Sequence, residues 1–313
     1  MIKLAKYTGY GVLALLATML TLAWAGGAIN WNQQPPYRLE QSWGEQGSNN
    51  GQLNDPTGIA VTSDEVFISD ARNSRIQVFD KQGHFKRAFG QDQLGRPMNL
   101  AIVGDNLYVP DYFQDVVHVF TLDGDYQRAI EAEDGLNSPG GVAVHPDGSL
   151  LVADTYGQRI VHLDPGGKIL GSWAGQGIGA AKFNYPTDVA LDGDGGFYVA
   201  DGYNDRVQQF GPDGELVRKW GGPFALNIFG PFKGWFATVS SIAVGADGSV
   251  FVADFYNDRI QKFTAEGDFL TAFGTPAKGL GQSEVAVAVD ADGTVWTANF
   301  AGNQVEKWRP AKK

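Results

Sequence analysis

No cysteine occurs among the 313 residues. Disulfides, thiolate metal sites and cysteine nucleophiles are therefore excluded. Histidine is scarce too, with four copies at His84, His118, His145 and His162. Positive charge is in short supply. The formal net charge is −11, and −13 once Lys3 and Lys6 at the amino terminus are set aside. So acidic a chain is a poor partner for nucleic acid, whose phosphates are bound by Lys and Arg with release of counterions. Anionic lipid headgroups would repel it as well. With 43% hydrophobic and 19% charged residues, the composition is nevertheless that of a globular protein. Glycine is plentiful, with 42 copies spread along the chain, as short strands joined by tight turns would require.

Residues 1–25 read as a targeting segment. Lys3 and Lys6 precede an apolar run from Gly11 to Leu22, and Ala23-Trp24-Ala25 ends it. Small residues three and one before a cut after Ala25 suit a signal peptide. The span from Tyr7 to Ile29 also lacks charge and is long enough to serve as an uncleaved membrane anchor, a single hydrophobic helix. On either reading the lysines keep the amino terminus in the cytoplasm. The rest would then be exported, into a periplasmic or other extracytoplasmic space. Residues 26–36 are a linker ending in the stiff pair Pro35-Pro36, which would hold the following domain a short distance from the membrane.

One motif then recurs. Asp70, Asp111, Asp154, Asp201 and Asp254, with Asn299 in the sixth slot, are each followed nine residues later by a large apolar residue. Those residues are Phe79, Phe120, Leu163, Phe210, Phe263 and Trp308. Each unit resolves into four short strands, with Asp-Gly turns such as Asp147-Gly148 and Asp247-Gly248 between the first two. Six copies of a four-stranded unit predict an all-β, six-bladed β-propeller over residues 37–310, leaving 311–313 as a tail. The last copy lacks a fourth strand. Tyr37 to Gly44 matches the missing pattern and is expected to pair with blade six and close the ring.

The cores Asp70…Asn73…Arg75-Ile76, Asp201…Asn204…Arg206-Val207 and Asp254…Asn257…Arg259-Ile260 resemble the NHL-repeat family, in an exported member of bacterial type. Blade two has Val116 where the arginine belongs, and blade six has Asn299 and Gln304, so both should depend less on ionic contacts. A carboxylate and a guanidinium repeated in blade after blade belong to the scaffold, tying the middle strands together, and not to a unique catalytic centre.

Function is expected where the repeats differ. Just after the motif Asp stand Tyr112-Phe113, Tyr156, Tyr203 and Phe255-Tyr256, an aromatic rim on one face. Such rings either pack over the next blade or form a platform for a protein, peptide or sugar. The longest insertion, residues 221–240, adds Phe232, Trp235 and Phe236 to this face, with Lys233 as its only charge. It is either a flap packed on its own blade or a hydrophobic lid or docking surface for a membrane-embedded partner. The channel mouth is assigned to Gly58, Asn99, Gly141, Asp188, Ser241 and Val285. There Asn99, Asp188 and Ser241 would hold ordered water or, weakly, Ca2+.

Enzyme readings find less support. In relatives with this repeat, the amidating lyases hold zinc with histidines at the channel mouth, and RNA-binding members use a basic face. None of the four histidines falls at a mouth position. His145 reads as a solvated turn residue, and His118 and His162 read as equivalent third-strand positions. The sequence thus points to a non-enzymatic binding scaffold without cofactor. The alternative is a divalent-cation-dependent hydrolase or lyase at the channel mouth.

Overall fold

The computed structural model describes residues 33–275 and 284–311. The segment 1–25 expected to serve in targeting and residues 26–32 of the expected linker lie outside the described residues. Among those described, no helix is long and apolar enough to cross a membrane.

Alternating runs of small and branched apolar residues form twenty-four strands arranged as six four-stranded antiparallel sheets. Blade one comprises Pro56–Val61, Glu65–Asp70, Arg75–Asp80 and Phe85–Phe89. Blade six is built from Glu284–Val289, Val295–Asn299 and Gln304–Pro310, completed by Tyr37–Trp43 from the other end of the chain. Tyr37 pairs with Pro310 and Trp43 with Val305, and the register slips between Leu39 and Gln41. The expected closure is therefore present. Stacking of Tyr37 on Phe273 (centroids 4.5 Å apart) and the edge contact of Trp43 with Trp296 (5.8 Å) reinforce it. The described end of the linker, from residue 33, lies against the domain: the Gln34 amide donates to the Leu270 carbonyl at 2.8 Å on blade five.

Six apolar clusters fill the six junctions between neighbouring blades. All six residues at the nine-residue offset are buried in them. The first strands of the blades line the central axis.

The motif carboxylates do more than tie strands. Asp201 is fully buried and sits opposite Arg206, whose Nε donates to it at 2.8 Å. The Asn184 amide from the loop leading into the blade also donates to Asp201, at 2.7 Å. The rest of the Arg206 guanidinium donates to the carbonyls of Ile178, Gly179, Lys182 and Ala225. Asp70–Arg75, Asp154–Arg159 and Asp254–Arg259 repeat this pairing. Blade two substitutes backbone for arginine: Asp111 accepts from the amides of Gly95, Arg96, Phe113 and Gln114. In blade six Asn299 donates to Glu306 at 2.9 Å.

A second periodic contact joins blade to blade. The residue before the third strand is left-handed in every blade, with φ of 50° at Ser74, 60° at Asp115, 56° at Gln158, 49° at Asp205, 51° at Asp258 and 52° at Asn303. Short polar side chains tolerate that conformation best. They also reach the next blade: Asp115 accepts from the Ser138 amide, Gln158 from Tyr185, Asp205 from Thr238 and Asn303 from Asp55, at 2.7 to 3.0 Å.

Breaking a buried ion pair by removing one partner costs roughly 3–5 kcal/mol. Arg206→Ala should lower the denaturant midpoint accordingly. Arg72→Ala, whose 62% exposed side chain pairs with Asp55 at the surface, should change stability by less than about 1 kcal/mol. Equal effects in equilibrium unfolding would remove the structural role assigned to the motif.

Candidate ligand-binding face

The loops after the second strands and those leading into the first strands converge at one end of the axis. There they enclose a cup of about 340 Å³. Its wall is aromatic, formed by Tyr112, Tyr156, Tyr185, Tyr203 and Phe255. Edge-to-face contacts link successive rings: Tyr112 to Tyr156 at 5.8 Å, Tyr156 to Tyr185 at 5.0 Å and Tyr185 to Tyr203 at 5.2 Å. Phe113 extends this line at 5.7 Å from Tyr112, and Phe255 and Tyr256 pair at 5.1 Å. Burial and a hydrogen bond to Tyr156 push the Tyr112 hydroxyl up to about 12. Burial also raises Tyr203, with its tyrosine neighbours adding to the effect. These phenols therefore stay neutral at physiological pH.

The predicted rim is thus assembled, and one member was missed. Tyr185 precedes Pro186 at φ 51°, where other blades place Asp55, Ser138 and Thr238. A large ring in that conformation carries strain of roughly 1–3 kcal/mol. The exchange of a small polar residue for tyrosine was readable as a departure from the repeat.

Hydroxyl groups floor the cup. Thr57 donates to the Pro97 carbonyl, Thr155 to Pro186 and Thr187 to Val239, each at 2.8 Å. Their protons are committed to the neighbouring blade, so they offer lone pairs to the cup. Beneath lies a polar plug. Asn99 Nδ2 donates to Asp188 at 2.5 Å and to Ser241 at 2.9 Å, and Ser241 donates to Asp188 at 2.9 Å. Amides of Ile242 and Val189 complete the carboxylate's contacts, both at 2.9 Å. Full burial nevertheless pushes Asp188 up to about 7. The three polar mouth residues meet because their neighbours are small. A Cβ on Gly58 would strike the Met98 carbonyl, and one on Gly141 would strike Asp188. In blade six the equivalent position is Ala286, paired with Ala298. Val285 is displaced by one and lines the cup instead.

The 221–240 insertion is divided. Phe229 joins Tyr203, Asp205, Ala237, Thr238 and Tyr256 around an adjoining cleft of about 470 Å³. Phe232 is exposed and meets the half-buried Trp235 edge-on at 4.9 Å. Phe236 is not on this face at all. It is fully buried against Phe263, in the same position before the motif Asp that Leu53, Leu136 and Phe183 hold in other blades. The cause is the repeat itself, because Phe236 is its first core residue and not part of the insertion.

The histidines also need one correction. His118 pairs with Val109 and occupies the slot of Gln77, whereas His162 pairs with Leu151 one residue further on. They are not equivalent. His118 lies 3.7 Å from Asp111 and 3.2 Å from Gln114, and burial lowers its pKa. Among the described residues, no group of three His, Asp or Glu side chains is placed to hold a metal.

Phe236→Ala should cost about 3–5 kcal/mol as a core truncation. Phe232→Ala, at an exposed ring, should stay within about 0.5 kcal/mol. Thermal melts of both variants check the division. Asp188 gives a second expectation. Its folded pKa is raised from 3.8 to about 7, so the native state binds the proton more tightly. Its stabilising contribution is complete below pH 4 and is lost as pH rises through 7. Stability relative to Asp188→Asn should therefore fall across that window, by up to about 4 kcal/mol. A difference that stays flat with pH would contradict the burial argument.

Comparison with known proteins agrees with this architecture. The NHL repeat family model matches residues 53–79, 136–163, 183–210 and 236–263. These are blades one, three, four and five, the ones that keep the Asp–Arg pair. Over 50 residues the chain is 44% identical to "Protein brain tumor" of Drosophila melanogaster. That stretch covers 16% of this chain and only 5% of the relative. Among solved structures, a Bacteroides thetaiotaomicron protein of unknown function superposes with a TM-score of 0.66 at 16% identity, covering 85% of this chain and 74% of that one. A streptogramin B lyase gives 0.60 at 14% identity, with 88% of both chains covered. At such identities the likeness is one of fold. The chain thus carries four NHL repeats and is folded as a six-bladed β-propeller.

Proposed function

We propose that this propeller is an exported, non-enzymatic recognition module whose tyrosine cup takes a segment of a partner protein. The observation that carries the reading is the convergence of five aromatic rings from four blades on one cup, at the positions where the repeats stop repeating. Propellers bearing NHL repeats serve typically as protein-binding scaffolds, which favours a peptide over a sugar. The chemistry of the cup narrows the choice further. Its walls are π faces and its floor presents lone pairs, on a chain of net charge −11. A side chain rich in N–H donors, arginine or lysine, would satisfy all three.

A divalent-cation hydrolase or lyase at the channel mouth is the alternative, and Asp188 favours it, since buried carboxyls with raised pKa cluster at functional sites. A cation there would have to draw Asp188 away from Asn99, Ser241 and two backbone amides. Calorimetric titration with Ca2+ and Zn2+ checks this reading. Stoichiometric binding that disappears in Asp188→Ala would replace the recognition reading.

Selection from a displayed peptide library on the purified protein tests the recognition reading directly. Enriched peptides should carry Arg or Lys. Tyr156→Ala and Tyr203→Ala should each weaken them about tenfold or more, as central aromatic anchors do. Both rings are half exposed, so the melting temperature should hardly move. Binding untouched by either change would remove the cup from the site.

A further inference from the structure

Blade five carries a feature that the cup does not use. Phe224, Phe229 and Phe232 are 61%, 72% and 58% exposed, with Leu226 and Ile228 projecting between them. Lys233 is the only charge in residues 221–240. Uncharged apolar surface of this extent marks contact with a protein or a membrane. Two observations decide between these.

First, the loop is fastened from below. Arg206 donates to the Ala225 carbonyl, Asn257 to Gly230, and Arg259 to Pro231 and Phe232. The rings are held outward and do not fold onto the blade. Second, the chain's own apolar run leads to this loop. Lys233 Nζ donates to Gln33 Oε1 at 2.9 Å, and Gln33 follows Leu22, the end of the run Gly11–Leu22, by eleven residues. Eleven residues span at most about 40 Å when fully extended. If that run enters a bilayer, the fixed end of its tether lies beside the aromatic loop.

We propose that the 224–232 loop rests in the interfacial layer of a zwitterionic bilayer, with Phe224, Phe229 and Phe232 as its anchors. Phe and Leu side chains on a surface element bury into the boundary between headgroups and acyl chains. Zwitterionic lipid is specified because the rest of the chain is too acidic for anionic headgroups. The loop itself brings no carboxylate to the surface. What the cup binds is immaterial to this contact.

The absence of cysteine makes the test direct. Full-length protein carrying Phe229→Cys or Phe232→Cys, labelled with nitrobenzoxadiazole, is reconstituted in phosphatidylcholine vesicles. Gln127→Cys is the control, exposed on blade two across the ring from blade five. Both loop probes should shift to the blue and lose most of their emission to a nitroxide carried by the lipid. The control probe should respond to aqueous iodide alone. Loop probes that iodide quenches and the lipid nitroxide does not would overturn the proposal. So would protection that requires added membrane proteins. Melting temperatures matching the unlabelled parent show that the labels leave the fold intact. Because the vesicles contain no other protein, this outcome is independent of the peptide selection that tests the cup.

Discussion

Each motif-bearing blade hangs on one buried carboxylate facing one guanidinium. Burying either alone would be costly, and the pair is held by geometry as much as by charge. Arg206 shows how. One nitrogen serves Asp201 and the others gather four carbonyls from two loops. The pair is therefore a clamp on the loops that lead into the blades, and Asp201 also accepts from Asn204 in the turn that carries Tyr203. Burial still shows its cost: even with Arg259 beside it, Asp254 is pushed up to about 6. Blade two achieves the same end with four backbone amides on Asp111, which explains how the arginine could be lost there without loss of the loop.

Closure imposes a second constraint. Six first strands crowd the axis, and two of the six positions nearest the cup are glycines because neighbouring backbone and side chain leave no room for a Cβ. The space so released is filled by Asn99, Asp188 and Ser241, which bond across the axis between blades two, four and five. The plug closes the axis beneath the threonine floor of the cup. It also links blades distant in sequence, at a place where an apolar residue would leave several amides without acceptors.

Much of this was legible in the sequence because repetition supplies its own controls. The nine-residue offset, the closing strand and the rim residues Tyr112, Tyr156, Tyr203 and Phe255 followed from comparing one blade with the next. The failures have the same origin. Phe236 reads as part of the insertion when the blades are aligned only back to the start of the first strand. Aligned further back, with Leu53, Leu136 and Phe183, it is a core residue. Val285 and His162 were each misplaced by one residue, a slip that pleated strands turn into a change of face. Tyr185 was missed for a different reason. Its left-handed conformation before Pro186 accompanies the bond that its amide donates to Gln158 in the preceding blade. No local preference of tyrosine would suggest it.

The distribution of differences around the ring is itself informative. Tyrosines occupy the rim of blades two to four, and the apolar insertion lies on blade five, next to them through the Phe229 cleft. Blade one offers Arg72 at the corresponding place, paired to Asp55. Aromatic surface is thus one-sided on a scaffold that is nearly symmetric. The clamp makes this possible. Because the Asp–Arg pair in four blades, Asp111 and Asn299 in the other two, and the left-handed polar residue fix the loops from below, the residues above contribute little to stability. They can diverge in one sector while the ring stays closed.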